Sequence, residues 1–328
     1  MATKSAQSTG PSFFNFLKEG LLLPTRNRRL FMAVYAVVFA STTLLLLGSD
    51  VVIQPLANEI QLDLMALDSA DPGSPDFAKL VQEVQDDTKE LLLVGAGYLV
   101  LAVVVSSAVR ILLLFAAVST YSDSEPGATS LSLGALLGKA RAQLKGPLLT
   151  LGFVYVLEIV CIVLVAFMAV LLGVLMFMLR HHLIVLVVAS TPLVAAAIIF
   201  TVYFSFLCSL SIVVAVAEPG RHGAAALGEA WRLAKGKRRQ VVGYLAATRA
   251  LAAVLSPVHS LARACAGDNK VALGLLLGLV YAALMALVQL FAVCAMTALY
   301  YECKENSDNQ LQAATGYAKL SSEEATAA

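Results

Sequence analysis

A chain of 328 residues that is 59% hydrophobic and 14% charged, with a mean hydropathy of +0.81, is far more apolar than a soluble domain, for which about 45–50% apolar and about 25% charged is usual. Water is therefore not its main solvent, and a formal net charge of +1 does not point to the strongly basic surface of a nucleic-acid binder. The five cysteines, Cys161, Cys208, Cys265, Cys294 and Cys303, form neither a disulfide framework nor a CxxC metal pattern.

Residues 1–29 read as a cytoplasmic leader that ends in an interfacial helix. The apolar run that follows lacks the short core and small-residue cleavage site of a secretory signal, so it reads as a retained first span. Six runs, at 30–53, 91–120, 147–179, 183–217, 241–262 and 271–301, meet the roughly 20 residues needed to cross about 30 Å of hydrocarbon. Each must be a helix, because an open strand leaves its backbone unsatisfied in lipid, and uninterrupted runs do not fit the alternation of a barrel. The third and fourth exceed a perpendicular crossing and predict tilt or extension into the interface, and Pro192 predicts a kink in the fourth. Residues 302–328 read as a disordered cytoplasmic tail.

Charge sets the expected orientation. With the N-terminus inside, sixteen Lys and Arg fall on the cytoplasmic side, against Lys79, Lys89, Arg180, Arg263 and Lys270 outside. The positive-inside rule then selects cytoplasmic N- and C-termini, in an endomembrane such as the ER or in the plasma membrane. The connection over 54–90 carries Asp63, Asp68, Asp71, Asp76, Glu83, Asp86 and Asp87, broken by Pro72, Gly73 and Pro75. It reads as an acidic outer loop without the DxDxDG spacing of a calcium site.

The three cytoplasmic stretches 13–30, 131–145 and 224–239 each combine apolar and basic residues, and each precedes a pair of spans. This is a weak repeat. Leu133, Leu136, Leu137, Ala140 and Leu144 recur at helical spacing in the second, as do Leu227, Ala230, Trp231 and Ala234 in the third. The expected fold is all-α: a polytopic bundle of six spans arranged as three hairpins, each preceded by a cytoplasmic amphipathic helix. Trp231, Arg232, Lys235, Lys237, Arg238 and Arg239 form a candidate lipid-headgroup patch. The competing use of these residues is topology-setting charge over the end of the bundle.

Ionisable groups inside spans are costly and mark candidate sites. Arg110, Glu158, Arg249 and His259 qualify, and at about 1.5 Å per residue the first three lie at similar depth. With Gln289 they predict a buried polar layer of Arg110, Glu158, Arg249 and Gln289, in which Glu158 pairs with Arg110 or Arg249. Such a layer fits a structural ion pair or a solute pathway. His181 and His182 lack any metal-ligand spacing and read as a polar turn. Gly274 and Gly278, with Gly95 and Gly97, predict close helix approach. Cys303, at the end of the last run, is a candidate palmitoylation site. Tyr317, Ala318, Lys319 and Leu320 match a tyrosine-based sorting pattern.

Residues 213–247, VVAVAEPGRHGAAALGEAWRLAKGKRRQVVGYLAA, resemble a recurring element of multi-pass families related to the glycerophosphodiester phosphodiesterase membrane domain. In that element a span ends in an acidic Pro/Gly turn, followed by a tryptophan-centred basic helix and another span. With LLLPTRNRRLFMAVY and ARAQLKGPLLTLGFVY, residues 13–303 resemble a plant family of uncharacterised multi-pass membrane proteins, some labelled polyadenylate-binding-protein-binding. The resemblance implies architecture and no activity, and it does not extend to the soluble phosphodiesterase domain.

The expected function is non-enzymatic organisation of membrane or lipid, or scaffolding of a partner; the alternative is a transporter or channel for an ion or lipid, using the charged layer. An intramembrane hydrolase ranks last, because no nucleophile has an activating neighbour. The implied partners are membrane lipids and a cytoplasmic protein, with no nucleic acid and no cofactor. The sequence does not fix an oligomeric state.

Overall fold

The computed structural model describes residues 15–69, 75–122, 133–178, 183–267 and 271–327, and all regular structure among them is helical. The chain order is α1 (Asn15–Arg26), α2 (Arg28–Gly48), a π-helical turn (Ser49–Ile53), α3 (Gln54–Ser69), α4 (Pro75–Ser122), α5 (Leu133–Gln143), α6 (Lys145–Met178), α7 (Leu183–Ala217), α8 (Ala224–Gly236), α9 (Arg238–Gly267) and α10 (Val271–Ala327). Six stretches are long and apolar enough to cross a bilayer: Arg28–Leu67, Phe77–Ser122, Lys145–Met178, Ser190–Ala217, Arg238–Cys265 and Ala272–Ser307. The chain is thus an all-α membrane protein with six candidate spans.

The repeat has a concrete form. Helices of 12, 11 and 13 residues, α1, α5 and α8, each run into a long helix through one non-helical residue, Asn27, Leu144 and Lys237 respectively. A basic residue opens each long helix: Arg28, Lys145 and Arg238. The apolar faces of the short helices are buried at Phe16 and Leu23, at Leu136 and Ala140, and at Ala226, Ala230, Leu233 and Ala234. These stripes therefore pack on protein.

Two expectations change, those for the acidic connection and for the tail. The acidic connection is helical on both sides of residues 70–74: α3 continues to Ser69, and α4 starts at Pro75 and enters the second span as one helix of 48 residues. Helix-forming Leu, Glu, Gln and Lys outweigh scattered charge there, and Pro75 takes the first helical position, where its missing N–H costs nothing. α7 runs through Pro192 and α9 through Pro257 without ending. The backbone of 302–327, expected to be disordered, continues α10. Asp71, Pro72, Gly73, Arg180, His181 and His182 lie outside the described residues, as do the side chains of the 317–320 pattern.

Packing divides the chain into two units. One comprises Met1–Arg28, Leu114–Arg249 and Phe291–Ala328; the other comprises Arg29–Leu113 and Ala250–Leu290. In the first, the core gathers Leu114 to Ala117 of α4, Ile212 to Ala215 of α7, the buried face of α8, and Tyr244 and Leu299. α1 reaches this core because Gly20 lies against the Ala295 backbone, 2.6 Å from where a Cβ would stand.

In the second unit, Tyr35 donates to the Ala283 carbonyl (3.2 Å) and joins α2 to α10. Tyr98 donates to the carbonyl of Leu45, just ahead of the π-helical turn, where the ordinary helical ladder is perturbed. The rings of His259 and Tyr281 lie 4.8 Å apart.

Candidate functional site: a basic pocket at a helix joint

The turn between α7 and α8 prepares the site. Gly220 and Gly223 have φ of 124° and 60°, values that L side chains rarely adopt. The Gly223 N–H donates to Thr150 Oγ1 (3.0 Å), tying the turn to α6, and the His222 ring fills the space beside Gly146. Glu218, at the end of α7, accepts from Lys304 Nζ (2.7 Å) and from the Tyr300 hydroxyl (2.8 Å). Arg221 bridges Glu218 (3.3 Å) and Glu229 (2.7 Å), and Glu229 in turn holds Arg232 (2.6 Å). Charges of alternating sign therefore run from α10 through the turn to α8. Burial would raise the Glu218 carboxyl, but the hydrogen bonds from Lys304 and Tyr300 and the charges of Lys304 and Arg221 outweigh it and hold it below its ordinary value.

α8 ends at Gly236. Lys237 takes φ −132° and ψ 42°, its N–H bonds back to Ala234 (3.2 Å), and its own carbonyl accepts from Gln240 and Val241 to start α9. This joint and the facing part of α10 line an open pocket of about 900 Å³, formed by Arg232, Leu233, Lys235, Gly236, Lys237, Arg238, Arg239, Gln240, Glu302, Cys303, Asn306 and Ser307. Glu302 accepts from both Lys237 Nζ and Gln240 Nε2 at 2.8 Å. Lys235, Arg238 and Arg239 are exposed, and none forms an ion pair among the described residues. Five cations thus meet one carboxylate, and the positive end of α9 adds to the same potential.

The predicted headgroup patch is therefore brought together in five of its six residues. Trp231 is the exception: it is 53% exposed and sits edge-on to Tyr203, with ring centroids 6.1 Å apart. Adjacent residues on a helix point in different directions, so Trp231 and Arg232 do not share a face. Cys303 lines the pocket but is only 7% exposed, which leaves the thiol poorly displayed for acylation. Gln240, Glu302 and the Glu218–Tyr300–Lys304 cluster were not anticipated. The acidic Pro/Gly turn and the tyrosine pair at 300–301 were their only traces in the sequence.

None of the four residues of the expected charged layer is fully buried. Arg249 and Gln289 are exposed and Arg110 and Glu158 only part-buried. Glu158 forms no ion pair with Arg249 among the described residues. Equal depth along helices fixes height and not facing direction. Close approach is likewise absent at Gly95, Gly97 and Gly278, where a Cβ would meet nothing within 4 Å. No cluster of three or more His, Cys, Asp or Glu able to hold a metal occurs among the described residues.

Neither the curated proteins nor the solved structures hold a match to this chain. One family model does match, over residues 4–321, and by it the chain belongs to the family described as Domain of unknown function (DUF8558).

Proposed function

We propose that this protein is a non-enzymatic organiser of the membrane surface, whose three short helices and basic joints engage anionic lipid or a cytoplasmic partner. The observation that carries this reading is the threefold recurrence of short helix, one-residue joint and basic-headed long helix. Cations at the start of an apolar helix suit the headgroup layer, where each contributes about 1 kcal/mol toward an anionic surface. The orientation proposed with it has both termini and all three joints on the cytoplasmic side, in the ER or the plasma membrane, following the distribution of Lys and Arg. The resemblance of residues 213–247 to the glycerophosphodiester phosphodiesterase membrane domain, and of the whole chain to the plant multi-pass family, is part of this proposal as a likeness of architecture. It is supported by the acidic Pro/Gly turn ending at α8 and by the basic helix that follows.

The test is co-purification of endogenous lipids with the full chain and with Lys235, Lys237, Arg238 and Arg239 all changed to Gln. This reading expects the variant to lose anionic lipids selectively. An unchanged lipid profile and an unchanged set of captured proteins would contradict it.

A further inference from the structure

Resting on that reading, we infer that the pocket at the α8–α9 joint selects a phospholipid headgroup carrying both phosphate and free hydroxyls, of the phosphatidylinositol phosphate kind. Two features of the pocket specify this chemistry independently. The first is charge. Lys237 is already paired with Glu302, and Arg232 with Glu229, which leaves Lys235, Arg238 and Arg239 without an ion-pair partner among the described residues. Three unmatched cations around one cavity call for more than one negative charge, and arginine's fork suits phosphate oxygens.

The second is an acceptor that no cation explains. Gln240 donates through Nε2 to Glu302, but its Oε1 is buried with no hydrogen-bond partner. A buried acceptor left unmade is costly, and a phosphate, which at neutral pH is mostly dianionic and brings chiefly acceptors, relieves it poorly. A hydroxyl can donate to it. A ligand bearing hydroxyls beside its phosphates satisfies both features once Gln240, which lines the pocket, turns its Oε1 toward it.

The pocket's place along the chain favours a lipid over a soluble phosphate. It is formed where the apolar run of α9 begins and that of α10 ends, the stretches Arg238–Cys265 and Ala272–Ser307. Acyl chains of a bound lipid can therefore lie along apolar helix while its headgroup reaches Arg238 and Arg239.

The experiment is native mass spectrometry of the full chain in detergent with added phosphatidylinositol monophosphate, phosphatidic acid or phosphatidylcholine. The expected order of affinity is as written, with the inositol lipid favoured over phosphatidic acid by about threefold or more, the range of one hydrogen bond. Gln240→Met should cut that preference about threefold, the share assigned to its hydrogen bond, while keeping phosphatidic acid bound. The double change Arg238→Gln with Arg239→Gln should weaken both anionic lipids about 25-fold, at roughly fivefold per charge. Lys235→Gln alone should weaken them about fivefold, and Lys89→Gln, on another helix, should leave them unchanged.

Equal affinity for the inositol lipid and phosphatidic acid in the unaltered chain, or a preference untouched by Gln240→Met, overturns this inference while leaving the wider reading in place. Anionic lipids binding no better than phosphatidylcholine overturns both. Soluble inositol bisphosphate displacing the lipid at equal concentration overturns the lipid source and makes a free phosphorylated polyol the ligand.

Discussion

The two units hold their charges in different ways. In the unit containing α8, carboxylates are shared among partners from separate elements and are partly buried: Glu229 is 11% exposed and Glu218 20%. Glu19 and Arg26 of the same unit stand apart from this sharing, 3.8 Å from each other and well exposed, and the described ion pairs of the other unit are all of that exposed kind. Arg263 and Asp50 stand 3.4 Å apart and nearly half exposed, and Lys89 and Asp86 are neighbours one helical turn apart on the surface. Apolar packing varies within the first unit itself: 44% of the most apolar stretch of α7 is buried, against 6% in α6. A large exposed apolar surface on α6 would be an aggregation site in water; on a membrane protein it is the lipid-facing side. Where charge is partly buried and shared it fixes helices to one another, and where it is exposed it contributes little.

Gly20→Ala is expected to blur the contrast most. Its Cβ would stand 2.6 Å from Ala295 Cα, backbone that cannot step aside, so overpacking should cost about 3 kcal/mol. The effect should appear as a lower melting temperature and reduced monodisperse yield. Gly97→Ala in the other unit meets nothing and should be neutral or stabilise by up to about 1 kcal/mol through helix propensity.

Glu218→Gln should come next, at about 1–3 kcal/mol, because Lys304 and Arg221 lose a shared, partly buried partner. Its pH dependence has a definite sign. The folded-state pKa lies below the ordinary 4.5, so Glu218 contributes stability above that value and loses it as pH falls through the depressed folded-state value. Thermal unfolding between neutral and acidic pH should therefore show a shallower acid loss in Glu218→Gln than in the unaltered chain. The smallest effect is expected for Arg263→Gln, at or below about 0.5 kcal/mol, since its pair is exposed.

The spans were legible because lipid demands length and apolarity, and both are written along the chain without reference to any neighbour. The joints were legible in part: basic residues before an apolar run marked Arg28, Lys145 and Arg238, but not the single residue that breaks each helix. What could not be read depended on direction or on distant partners. Arg249 and Gln289 have the depth of a buried layer but are exposed. Gly20 and Gly146 matter only because Ala295 and His222 arrive against them, whereas Gly95, Gly97 and Gly278, expected to allow close helix approach, meet open space. Glu302 enters the basic pocket from more than sixty residues away in sequence, so the patch was visible and its acceptor was not.

The central claim is that the three short helices end at three equivalent joints on one side of the membrane. Thr25, Gln143 and Gly236, in the last turns of α1, α5 and α8, are all exposed. Each can be replaced singly by cysteine in a cysteine-free chain and treated with a membrane-impermeant maleimide in sealed vesicles of known orientation. The account predicts that all three label from the cytoplasmic side and none from the other. Labelling of any one of them from the opposite side would contradict the parallel threefold arrangement.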